Sequence, residues 1–252
     1  MDQALRSLVD WYAKVGVDVP DLAPSAPPRK KRTTLSPPVA AQTTKPTRPK
    51  PQEDRPLPNS DLVAKGAKTL EELRLAVQTF DAGALSDGAR QAVFSRGNPD
   101  ADLMVIGEAP GRDEDIQGKP FIGQSGQLLD HMLAAIGLGK ENFYVTNLVN
   151  WRPPKNRNPK PEEIEMCRPF LDRHVELAKP KVLLLVGGVS MTALTGMTGI
   201  MKNHGQWQDI EIGGGTLPAL PLYHPAFLLR QPALKKDAWR DLLSLRAKLE
   251  AL

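Results

Sequence analysis

From Asn59 to Leu252 short apolar runs alternate with segments of helical period, and no other feature narrows the possible folds as much. Runs of strand length separated by amphipathic stretches are the pattern of parallel strands joined by crossover helices. The spacing predicts strands at Leu103–Gly107, Phe143–Val149, Lys181–Gly187 and Leu217–Tyr223. It predicts helices over Leu62–Phe80, Ser125–Ile136, Pro161–Ala178, Val189–Leu194 and Lys235–Leu249. About 190 residues suffice for one three-layer α/β domain with a substantial core.

The chain ahead of this domain has a different make-up. Of the 24 prolines, 11 fall within Pro20–Pro58. That stretch carries eight Lys or Arg against three Asp or Glu, while the remainder carries 25 against 26. The net charge of +4 therefore belongs to one segment, and the charge balance does not support a large basic DNA-coating face on the domain. Residues 20–58 are expected to form a disordered, Pro-rich basic linker, because they cannot bury enough apolar surface to fold. The cluster Arg29-Lys30-Lys31-Arg32 reads either as a solvated charge run or as a nonspecific phosphate contact. Residues 1–19 place Leu5, Leu8, Val9, Tyr12 and Val15 at helical spacing. A helix this short is marginal alone, so it docks either on the chain's own core or on a protein partner.

One cysteine, Cys167, excludes an internal disulfide framework and any four-thiolate metal or iron–sulfur site built from this chain alone. No apolar run has the length of a membrane span, and the N-terminus lacks the pattern of a signal peptide. The reading is a cytoplasmic protein, monomeric, with no membrane contact and no metal or organic cofactor.

Ligands of open α/β sheets bind beyond the carboxyl ends of the strands. Three polar segments lie at such ends. One runs from Gly107-Glu108-Ala109-Pro110-Gly111 to Glu114 and Asp115. A second starts at Asn147 and continues to Trp151-Arg152-Pro153-Pro154. The third is His224-Pro225-Ala226-Phe227-Leu228-Leu229-Arg230. A carboxylate, an amide and an imidazole thus converge on one edge, although each has a plain structural use as an ion pair, a turn bond or a packed histidine. The stretch Gly118-Lys119-Pro120-Phe121-Ile122-Gly123-Gln124-Ser125-Gly126 opens a helix and offers backbone N–H groups to an anion, or is simply a capped turn. It lacks the lysine of a nucleotide-triphosphate loop.

In their order and spacing, Gly107–Gly111, Gly118–Gly123, Thr146-Asn147, Arg152-Pro153-Pro154 with Asn156-Arg157, and His224-Pro225 closely resemble the family-4 uracil-DNA glycosylases. The resemblance covers about Phe80 to Trp239. It implies a three-layer α/β/α sandwich around a four-stranded parallel sheet, and hydrolysis of the bond between uracil and deoxyribose in DNA. Members of that family hold a [4Fe–4S] cluster on four cysteines, and the corresponding positions here are Phe80, Gly83, Trp151 and Cys167. Three thiolates are missing, so apolar packing is expected to replace the cluster. Relatives that crosslink to DNA carry a basic loop ending in histidine. Here Leu148-Val149-Asn150-Trp151 follows Asn147, and turnover without a covalent adduct is expected.

The residues suggest the division of labour. Uracil must leave the base stack before its glycosidic bond is reachable. The Asn147 amide offers an acceptor and a donor that match uracil and clash with cytosine, and Phe121 offers a face for stacking. The resemblance adds backbone N–H groups near Ala109. His224 is the candidate donor to the base as it departs with negative charge. Glu108 is the first candidate to stabilise the sugar cation or orient water; Glu114 is the second, or instead excludes a methyl at C5. Phe227 or Leu228 is expected to wedge into the gap left by the flipped base, and Ser125 and Arg230 to contact DNA, as does the Arg152–Arg157 loop. Rival readings are a glycosylase for another deaminated base such as hypoxanthine, a non-catalytic DNA-binding adaptor, and a generic nucleotide hydrolase.

Overall fold

The computed structural model describes residues 59–252, so the expected helix at 1–19 and linker at 20–58 lie outside the described residues. The first half contains α1 (Ser60–Gly66), α2 (Leu70–Thr79), α3 (Ala84–Asp87), β1 (Arg96–Gly97), β2 (Leu103–Gly107), α4 (Arg112–Gln117), α5 (Gln124–Ala135) and β3 (Phe143–Asn147). The second half contains α6 (Pro161–Ala178), β4 (Val182–Val186), α7 (Gly188–Thr195), α8 (Ile200–Asn203), β5 (Gln208–Ile212), β6 (Gly215–Leu222), α9 (Pro225–Arg230) and α10 (Lys235–Glu250).

The sheet has six strands in the order β1-β3-β2-β4-β6-β5, not four. The expected parallel strands β3, β2, β4 and β6 form its middle, and β1 and β5 pair antiparallel at the two edges. Strands β2, β3 and β4 are buried along their whole length, as parallel strands covered on both faces must be. Alternate side chains feed two cores. Leu103 and Val105 meet α5 and α10 through Leu129, Met132 and Leu242. Met104 and Ile106 point the other way, into the core that α2 and α6 complete with Leu73, Val77 and Phe170. The three-layer architecture holds.

Three local differences from the expected elements have physical causes. The helix predicted over Leu62–Phe80 is two helices, because Thr69 caps α2. Its hydroxyl accepts from the Glu72 N–H at 3.1 Å, and the Glu72 carboxylate accepts from the Lys68 N–H at 2.6 Å. Strand β3 stops at Asn147, where the Leu148 N–H turns to donate to the Gly107 carbonyl at 3.0 Å. Strand β5 is an addition to the expected strands, and Gly213-Gly214, both at positive φ (61° and 79°), make the two-residue hairpin turn that joins it to β6.

Phe170 packs edge-on against Phe80, with ring centroids 4.9 Å apart, and is 2% exposed. Phe170→Ala should cost about 3–5 kcal/mol of stability, read as a lower urea midpoint at unchanged slope. A loss below about 1 kcal/mol would show that this ring is not part of the core.

Candidate active site

Strands β2 and β3 end side by side, with Gly107 paired to Asn147. The connection that follows β2 packs α5 on one face of the sheet, and the connection that follows β4 packs Leu194 of α7 on the other. A crevice opens where the strands part in this way. It is a cavity of about 600 Å³. The structure brings Glu108, Ala109, Glu114, Phe121, Ser125 and Asn147 to its walls, and His224, Phe227 and Arg230 join them from α9 and the residue ahead of it. Leu228 is a correction: it is fully buried in the core that α5 and α10 share, so it cannot wedge into DNA. Its neighbour Leu229 points outward and is 44% exposed.

The floor is built at contact distance. A Cβ on residue 107 would overlap the Phe121 ring and lie 2.5 Å from the Asn147 amide oxygen, so only glycine lets both side chains approach. Phe121 itself has φ 52°, an unusual conformation for an aromatic residue. Its carbonyl occupies the space that a Cβ on Gly126 would fill. The His224 ring lies 5.8 Å from the Phe121 ring at an interplanar angle of 29°. Among the described residues Asn147 Oδ1 is the buried side-chain polar atom left without a hydrogen-bond partner. A buried acceptor in that state is costly, and in a cavity wall it marks where a ligand donor belongs.

The two carboxylates are used differently. Glu108 Oε1 accepts from the Val189 N–H at 3.2 Å, across the crevice at the start of α7. Burial pushes its pKa above the usual carboxylate value, opposed by that hydrogen bond. Glu114 Oε1 accepts from both the Ile122 and Gly123 N–H groups at 3.0 Å. The backbone donors expected to await an external anion are therefore occupied by the protein's own carboxylate.

His224 caps α9, its Nδ1 accepting from the Ala226 N–H at 3.1 Å. That bond leaves the proton of a neutral ring on Nε2. Burial pulls the imidazole down to about 4; the Arg230 charge adds to this and Glu114 opposes it. At neutral pH the side chain is an uncharged donor.

The Pro153–Pro159 loop forms the facing wall, with Asn156, Arg157 and Asn158 on the cavity. Its arginines are tied inward. Arg152 donates to Asn156 Oδ1 at 2.5 Å and lies 3.7 Å from the buried Asp115, and Arg157 forms a two-pronged pair with Glu163 at 2.8 and 2.5 Å. Both guanidinium groups are thus engaged by side chains of the protein itself. Ile200 and the backbone of Gly188 also line the cavity. Nothing in the local sequence around Ile200 marks it, since a short helix after two glycines carries no chemical signature.

The profile of the uracil DNA glycosylase superfamily matches residues 94–243, more than half of the chain. The chain belongs to that superfamily. A type-4 uracil-DNA glycosylase of Archaeoglobus fulgidus is 40% identical over 150 residues, which are 58% of this chain and 75% of the relative. One from Saccharolobus solfataricus is 38% identical over 168 residues, 64% and 78% of the two chains. One from Pyrobaculum aerophilum is 34% identical over 178 residues, 69% and 91% of the two. These relatives place this glycosylase-family chain in the type-4 branch.

The iron–sulfur cluster of family 4 does not fit the residues present. Phe80 and Trp151 face each other with ring centroids 6.1 Å apart, and both belong with Phe170 and Cys167 to one continuous apolar core. Cys167 is the one thiol of the chain, fully buried, and its pKa is pushed up to about 12 by burial.

Two measurements check this description. In an NMR titration the His224 imidazole should stay neutral from pH 8 to below pH 6, with a midpoint near 4; an ordinary midpoint near 6.5 would sink the assignment of a neutral donor. Purified protein should carry no stoichiometric iron or acid-labile sulfide and should keep its unfolding midpoint in the presence of a strong chelator.

Proposed function

We propose that this chain is a DNA-repair enzyme that flips uracil out of DNA and hydrolyses its N-glycosidic bond, leaving an abasic site. The observation that carries the reading is the unpartnered, buried Asn147 oxygen in a cavity that Phe121 and His224 also line. Uracil supplies the missing donor through N3–H, and its O4 accepts from the same amide. Cytosine presents the reversed pair and would leave two groups unmet, at about 1–3 kcal/mol each. Phe121 stacks on the base, and the backbone around Ala109 borders it. The type-4 names of the relatives support the same substrate.

Cleavage breaks the bond between C1′ and N1, with both electrons leaving on the base. The neutral Nε2–H of His224 meets the charge growing on O2, an interaction stronger in the transition state than in the ground state. Glu108 keeps one oxygen on Val189 N–H and presents the other to the cation at C1′ and to the water that adds there. Glu114 serves by holding the Phe121 loop, through which it borders C5. No covalent adduct is inferred, since Leu148 and Val149, which follow Asn147, are buried. Phe227 and Arg230 at the cavity mouth, with Ser125, are the contacts to DNA. The enzyme is inferred to act as a monomer in the cytoplasm, in keeping with its single cysteine.

The test is release of uracil from an oligonucleotide, scored as alkali-labile sites. Asn147→Ala, His224→Ala and Glu108→Ala should each lower kcat by about 10²–10³. Wild-type rates in the His224 and Glu108 variants would refute the assignment, and preference for hypoxanthine over uracil in the same assay would redirect the substrate. Because burial raises the Glu108 pKa and the reaction needs the carboxylate, kcat/KM should fall on acidification above the usual carboxylate range. Glu108→Gln should remove that acid limb.

A further inference from the structure

We propose that Arg96, held by Asp130, is a positioning residue for the stacking ring of Phe121, an inference that rests on the reading of Phe121 as the face that receives the base. Phe121 is held in the left-handed region, where an aromatic residue does not stay unless its neighbours fix it. Every neighbour is fixed. The Pro120 carbonyl accepts from Arg96 Nε at 2.8 Å. On the other flank, the Ile122 and Gly123 N–H groups are held by Glu114. Behind it, the Phe121 carbonyl sits in the space left by Gly126.

Arg96 does more than one carbonyl contact. The same guanidinium donates to Asp130 Oδ1 of α5 at 2.6 Å and lies over the Phe143 ring of β3, 5.7 Å from its centroid. One planar group thereby joins the edge strand β1, the loop and the helix that follows the loop. The side chain is only 12% exposed, so these bonds are less screened than a surface pair. A lysine has a single ammonium in place of the fork and cannot hold both partners in this geometry. Arg96 does not line the cavity, so any effect on the base must pass through Phe121.

A kinetic double-mutant cycle tests this on the full chain, with folding followed by circular dichroism. Phe121→Ala should lower kcat/KM on uracil DNA about 10–100-fold, the range for loss of base stacking. Arg96→Ala should lower it about tenfold, with weaker inhibition by free uracil, and should add less than about twofold in the Phe121→Ala background. Asp130→Asn should show a smaller loss of the same kind. If Arg96→Ala does not fold, Arg96→Lys replaces it and should reproduce the loss. A full tenfold effect persisting without the Phe121 ring overturns the proposal, as does wild-type behaviour of a folded Arg96 variant. A wild-type rate for Phe121→Ala instead removes the stacking reading itself, and the positioning role with it.

Discussion

Residue 107 has room for a hydrogen and for nothing larger. The Phe121 ring and the Asn147 amide both press on it, one arriving from the loop after α4 and the other from the end of the neighbouring strand. The rest of the site depends on that approach. Without it the Phe121 ring would stand away from the Asn147 amide. Backbone closeness of this kind requires glycine, and the parallel pairing of β2 with β3 supplies it at the one register that puts Asn147 opposite.

Around that floor the electrostatics follow from burial. His224 is kept neutral by its dry surroundings and oriented by the Ala226 N–H, which leaves an uncharged Nε2–H donor on a residue of the cavity wall. Glu108 is penalised by the same dryness and retains one backbone bond to hold it in place. Glu114 fills the anion-binding geometry of the loop from within. The arginines of the facing loop are neutralised by Asp115 and Glu163.

At the positions where the resemblance implies an iron–sulfur site, this chain has aromatic packing. Phe80, Trp151 and Phe170 bring the chain before α3, the loop after β3 and helix α6 into one apolar core. Those are the segments from which the facing wall of the cavity grows.

Much of the architecture was legible from the sequence alone. The four central strands are buried on both faces and read as continuous apolar runs, which short-range pattern detects. That Glu108, Asn147 and His224 share one edge was legible because each directly follows an apolar run of strand length, although a structural use for each stayed open. What the sequence could not show is anything set by contacts between distant segments. The edge strand β1 is two residues long, and Arg96 gains its meaning only from Pro120 and Asp130, 24 and 34 positions away. Leu228 and Leu229 are adjacent and chemically identical, and only the packing of α9 on α5 decides that one is core and the other exposed. Local order determined which elements form; tertiary packing, through burial and the few positions with no space for a Cβ, decided which side chains meet.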